Sequence, residues 1–218
     1  MSRAPMTLLA AIRDPHLFPP WFRDRATWQA WFSFLAALFA LPMTPDQLAI
    51  YRQCTGRNEP PSSVAKEAWL ICGRRAGKSF ILALIAVFLA CFFDYRKYLI
   101  PGERGTILII AVDRKQARTI LRYIRGLLTN VSMLKRLIER ETAEGFDLSN
   151  NITIEIGTAS FRSTRGVTCV SALIDEAAYI PNSETSADPD HEILNAIRPA
   201  MATIPNAMLL VASSPYAR

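Results

Sequence analysis

Two runs of the chain, TILIIAVD (Thr106 to Asp113) and CVSALIDE (Cys169 to Glu176), are apolar at positions where a half-exposed strand would alternate with polar residues. Strands of that kind belong in a parallel sheet covered on both faces. A shorter run, AWLIC, passes through a glycine-containing turn into the long apolar stretch Phe80 to Phe93, which makes a strand, a loop and a helix in succession. Helical spacing recurs over Arg114 to Leu128 and His191 to Met201. ITIEIGTASFRS offers one or two alternating strands, and AMLLVASSP reads as a last strand. Strands alternating with helices predict an α/β fold whose mostly parallel sheet is flanked by helices, with ligands at the carboxyl ends of the strands.

Before this pattern begins, residues 1–61 read as a helical N-terminal extension. Trp21, Trp28 and Trp31 lead into FSFLAALFALP, and TPDQLAIYRQ starts a further helix with Thr44 as its cap. TGRNEPPSS is a loop by its Gly and Pro content, which leaves 62–218 as the sheet-containing core. A chain of 218 residues with 50% hydrophobic and 20% charged residues is globular rather than disordered. The longest apolar run falls short of the ~20 residues that span a bilayer, so it is expected to be a buried helix. The first residues lack the apolar core and small-residue cleavage site of a signal peptide, and a cytosolic chain without membrane contact is expected. Cys54, Cys72, Cys91 and Cys169 are scattered, with only His16 and His191 to join them, which argues against zinc or a disulfide framework. The net charge of +6 suits a polyanionic partner such as nucleic acid.

The chemistry is concentrated in WLICGRRAGKSF, Trp69 to Phe80. In a phosphate-binding loop, successive backbone N–H groups point into an anion-sized nest at a helix N-terminus, lysine reaches the β- and γ-phosphates, and Ser or Thr binds Mg2+. Gly77, Lys78 and Ser79 meet the end of the G-x-x-x-x-G-K-S/T pattern and sit between a strand and a helix, as that pattern demands. At its start, however, Cys72 stands where the first glycine is expected, the glycine is displaced to Gly73, and Arg74, Arg75 and Ala76 fill the loop. The acidic half of such a site is SALIDEAAY, which places Asp175 and Glu176 at the end of a buried strand: Asp175 to orient the metal, Glu176 to polarise water. The cofactors expected are ATP and Mg2+.

The loop GRRAGKS, the pair Arg165-Gly166 ahead of the acidic strand, LIDEAAY, and LLVASSP with its Ser213-Ser214-Pro215 ending resemble, in this order, the ATPase domain of the large terminase subunit of tailed bacteriophages. That resemblance implies a P-loop NTPase of the ASCE or RecA-like kind that hydrolyses ATP to drive double-stranded DNA into a capsid. It implies Lys78 and Ser79 as phosphate and metal ligands, with Gly73, Ala76 and Gly77 lining the nucleotide. Asp175 and Glu176 become the metal-orienting and catalytic acids, and Ser213 and Ser214 the coupling motif that senses the γ-phosphate. It also implies an adenine-contacting glutamine ahead of the loop, for which Gln47 is the candidate and Gln53 the alternative. The implied partners are a portal, a small terminase subunit and further copies of the chain in a ring, in the cytoplasm of an infected bacterial host. Members of the family continue into a linker and an RNase H-like nuclease. The sequence ends at Arg218, so the nuclease is expected to be absent from this chain.

Arginines are needed to offset transition-state charge, and one such residue contributes about 10³–10⁵ in rate. Arg74 or Arg75 would act from within the loop, Arg165 from a neighbouring subunit, and the sequence does not choose between them. On the helix that starts at Arg114, the residues Arg114, Arg118, Arg122 and Arg125 share one face and Ala117, Leu121, Ile124 and Leu128 the other. The apolar face is expected on the sheet and the basic face on a DNA backbone. A helicase-type ATPase acting on nucleic acid is the alternative that uses the same loop and acids.

Overall fold

The computed structural model describes residues 6–158, 166–180 and 189–215. The chain divides into two compact units, Met1–Lys66 and Glu67–Arg218.

In the N-terminal unit the helices are α1 (Leu8–Arg13), α2 (Gln29–Leu38) and α3 (Pro45–Thr55). Thr44 caps α3 through a full capping box: its hydroxyl accepts from the Gln47 N–H at 3.3 Å while the Gln47 amide oxygen accepts from the Thr44 N–H at 3.0 Å. Gly56, at φ 69°, ends the helix in the left-handed conformation. The aromatic-rich sequence makes the core: Phe22 meets Trp28 edge-on at 4.9 Å, and Phe32 and Leu35 are buried beside them on α2.

The second unit is built on a seven-stranded sheet in the order β1-β7-β6-β2-β5-β4-β3. Its strands are β1 (Glu67–Ile71), β2 (Gly105–Ala111), β3 (Ile138–Glu141), β4 (Gly145–Leu148), β5 (Ile152–Thr158), β6 (Thr168–Asp175) and β7 (Met208–Ser213). The run β1-β7-β6-β2-β5 is parallel; β4 and β3 join it antiparallel. The helices are α4 (Lys78–Phe92), α5 (Arg114–Asn130), α6 (Ser132–Lys135) and α7 (Pro189–Met201). From Phe80 to Ala90 every residue of α4 is buried, which a helix apolar all round requires. It packs on β5, β6 and α5, while α7 packs on β6. As expected, α5 turns Ala117, Leu121, Ile124 and Leu128 inward against β2 and β5, together with Ile120 and Leu127. The α/β fold with helices flanking a mostly parallel sheet is therefore the fold found.

The β3–β4 hairpin was not legible as strands. Its entry depends on Gly145, where an added Cβ would stand 2.0 Å from the Ile154 carbonyl oxygen of β5. The register sets up the site. Ile71 of β1 faces Ser213 of β7, and Ala212 faces Asp175 of β6, so the carboxyl ends of three adjacent strands arrive at one edge.

Candidate nucleotide site

The loop between β1 and α4 explains its own departure from the glycine pattern. Cys72 is still in the ladder, donating its N–H to the Ser213 carbonyl at 3.1 Å, and neither Cys72 nor Gly73 has a positive φ. A side chain at the first position is thus free of backbone penalty. The left-handed positions fall instead on Arg75, at φ 63°, and Gly77, at φ 92°. Gly77 supplies its conformation without cost, whereas Arg75 bears about 1–2 kcal/mol for it. Burial pushes the Cys72 thiol above its ordinary pKa, against the pull of Lys78, so it adds no charge to the site.

Lys78 opens α4 and is 6% exposed. Its ammonium is ion-paired with Asp175 and lies 2.9 Å from Glu176 Oε1. Asp175 is fully buried, and its other oxygen accepts from the Ser79 hydroxyl at 2.8 Å. A buried carboxylate persists only with such partners. Glu176 sits in the left-handed region, at φ 57° and ψ 45°, a strained setting for a side chain with a Cβ and one found at functional positions. Ser214 binds both of its oxygens, by its N–H at 2.8 Å and its hydroxyl at 2.9 Å. Burial raises the Glu176 pKa, but the bonds from Ser214 and Lys78 outweigh it and hold the carboxyl below the ordinary glutamate range.

Ser213, the partner in the predicted coupling pair, accepts from the Ala178 N–H at 3.1 Å. The serines therefore grip the turn that follows the acids, Ser214 through Glu176 itself and Ser213 through Ala178. Gly73, Arg75, Ala76, Gly77, Lys78 and Ser79 line a cavity of 360 Å3, shared with Glu176 and Ser214. Arg74 and Arg75 also border an adjoining cavity of 450 Å3 with Glu176 and Tyr179. Ser79 and Asp175 offer hard oxygen donors at a helix N-terminus, a set that fits Mg2+, which takes few protein ligands and keeps waters and phosphate oxygens. Among the described residues no cluster of His, Cys, Asp and Glu forms a closed metal site of its own.

Other predicted residues fall elsewhere. Arg165 lies outside the described residues. Gln47 is buried, its amide oxygen spent on the α3 cap, and it lines a 230 Å3 cavity of the N-terminal unit with Arg13, Arg25, Gln29 and Phe32. Arg114, Arg118, Arg122 and Arg125 are all exposed on α5. Arg125 is committed, donating to Glu141 of β3 at 2.6 Å, which takes it out of a free basic row. Nor is α5 remote from the loop: Thr119 and Tyr123 line the 360 Å3 cavity, Asp113 and Gln116 the 450 Å3 one, and Arg122 donates to the Thr119 hydroxyl at 3.1 Å. Sequence reasoning missed these lining residues and assigned no role to Tyr179. No helix among the described residues is long and apolar enough to cross a membrane.

No protein-family model and no curated protein matches the chain. Solved structures do. The strand order defines a mixed α/β domain with a mostly parallel sheet flanked by helices, and that fold is shared with the large terminase of bacteriophage HK97, at a TM-score of 0.53 and 19% identity over 79% of this chain. The ATPase domain of the Thermus phage P74-26 large terminase aligns at 0.49 and a variant of it at 0.47, both at 23% identity, covering 85% and 84% of this chain and 70% of theirs. The chain spans 33% of the length of the HK97 protein. The α/β fold with a mostly parallel sheet flanked by helices, expected from the sequence, is thus the fold shared with the HK97 protein.

Proposed function

We propose that the chain is the ATP-hydrolysing motor domain of a phage large terminase, acting on double-stranded DNA. The observation that carries this reading is the bridge Lys78 makes between Asp175 and Glu176 beneath the loop, with Ser79 on the same aspartate. A lysine, a hydroxyl and two acids converging at the helix N-terminus supply the parts that phosphoryl transfer to water uses.

In this reading the loop N–H groups and Lys78 bind the β- and γ-phosphates, and Ser79 and Asp175 hold Mg2+, which neutralises phosphate charge when bound. Lys78 gives up part of its bridge to reach the phosphates. Glu176, ionised through its bonds to Ser214 and Lys78, accepts the proton of the attacking water. Ser214 donates to both of its oxygens and so ties the acid to the β7 end, while a lone pair remains on Oε2 for the water, and this tie links hydrolysis to movement of Ser213 and Ser214. Arg74 or Arg75 stabilises the transition state from within the loop, with Arg165 as the candidate from a neighbouring copy in a ring. Adenine recognition by Gln47, DNA contact through Arg114, Arg118 and Arg122, assembly with a portal and a small subunit, and action in the cytoplasm of an infected bacterium belong to the same proposal. Calorimetric titration with Mg·ATP tests its first step: saturable binding to the wild-type chain is expected, and no binding would contradict it.

A further inference from the structure

The turn Ala177–Tyr179 that follows the acids touches both the loop and the chain leaving β7. Arg74 Nη2 donates to the Tyr179 hydroxyl at 3.1 Å, and the guanidinium carbon lies 5.8 Å from the centre of the Tyr179 ring. The same hydroxyl donates to the Pro215 carbonyl at 3.0 Å. A phenol has one proton and two lone pairs, so it makes both bonds at once, and each strengthens the other. The turn is itself fixed, with the Tyr179 N–H on the Glu176 carbonyl at 2.9 Å and the Ala178 N–H on Ser213.

This matters because Arg74 is exposed and an arginine at such a position loses substantial rotamer entropy when it is held. Tyr179 holds it twice, by a hydrogen bond and by its ring face. Of the five N–H donors of a guanidinium one is used on Tyr179, and the others remain for an anion in the 450 Å3 cavity that Arg74 shares with Glu176. We infer that Tyr179 is a positioning residue, which places Arg74 at the cavity lined by Glu176 and ties its guanidinium to Pro215, so that the arginine follows movements of the β7 end. The inference rests on the reading of this site as an ATPase and selects Arg74 over Arg75 as the arginine acting within the chain.

The test compares the wild-type chain with Tyr179→Phe, Arg74→Ala and the double variant, by steady-state ATP turnover and by calorimetric affinity for ADP–aluminium fluoride and for a non-hydrolysable ATP analogue. Tyr179→Phe keeps the ring and removes the relay, so kcat should fall about ten- to a hundredfold, the range of a lost hydrogen bond to a charged group, with KM within about twofold. Affinity for ADP–aluminium fluoride should fall by a similar factor while affinity for the ATP analogue holds. In the Arg74→Ala background the same change should add little, because the group it positions is gone. Turnover and fluoride-complex affinity unchanged in Tyr179→Phe would overturn the inference, as would equal losses with and without Arg74, which mark a purely structural role. A wild-type chain that neither binds nor hydrolyses ATP would overturn the ATPase reading, and this inference with it.

Discussion

Ser214 clasps Glu176, donating its N–H to one carboxylate oxygen at 2.8 Å and its hydroxyl to the other at 2.9 Å. The bonds join the end of β7 to the end of β6, and the serine that makes them is 2% exposed. Ser214→Ala keeps the N–H bond and loses the hydroxyl bond to a charged partner, which should cost about 1.5–3 kcal/mol in urea unfolding. The acid limb of the pH–rate profile should move to higher pH, because one of the bonds that holds the Glu176 carboxyl down is removed. An unmoved limb would separate Glu176 from the base.

Lys78 has a structural duty beside its proposed phosphate role. Replacing it by Met leaves Asp175 buried without its counter-charge, and removing one partner of a buried pair costs about 3–5 kcal/mol. Thermal unfolding of Lys78→Met should show this loss, and the double variant Lys78→Met with Asp175→Asn should recover much of it while still failing to bind ATP. A double variant as unstable as the single one would mean that the pair does not carry the cost.

The depressed pKa of Glu176 fixes the sign of a pH effect. Its folded value lies below the ordinary 4.5, so its contribution to stability is complete above that value and is lost as pH falls through the folded pKa. The Tm difference between wild type and Glu176→Gln should therefore be flat above pH 4.5 and should shift against the wild type below it. A difference that changes between neutral pH and 4.5 would show that the carboxyl is not held down.

On the arginine face of α5, Arg114, Arg118 and Arg122 make no ion pair with an acid among the described residues, while Arg125 is engaged with Glu141. Arg118→Ala with Arg122→Ala should weaken every duplex alike and flatten the log-affinity against log-salt slope by about 0.9 per lost contact. Arg125→Ala should leave the slope alone and cost at most about 1 kcal/mol of stability. Because Arg122 bonds to Thr119, which lines the 360 Å3 cavity proposed to take the phosphates, the double variant should also change ATP affinity modestly. DNA and ATP titrations at several salt concentrations measure all of these; an unchanged slope would move the DNA contact elsewhere.

Lys78, Ser79, Asp175 and Glu176 were legible because each belongs to a short run whose strand or helix context is written beside it. Thr44 and Gln47 also spelled a capping box, of which the sequence reading took only Thr44, as the cap. The β3–β4 hairpin escaped because Glu139, Arg140 and Glu141 lie on a solvated strand with no apolar alternation, and its one clue, Gly145, answers to a carbonyl on β5. Tyr179 was visible in LIDEAAY, yet its partners Arg74 and Pro215 are far from it in sequence, and no local pattern encodes such a contact.

The most direct test of the ATPase reading is Glu176→Gln, with Mg·ATP binding measured by calorimetry and phosphate release followed under single-turnover conditions. Glutamine keeps the shape of the side chain but is no proton acceptor, so the variant should bind ATP within a few-fold of wild type and release phosphate at least about 10²-fold more slowly. Equal phosphate release by the wild type and Glu176→Gln would contradict the assignment of Glu176 as the catalytic base, and with it the account of this site.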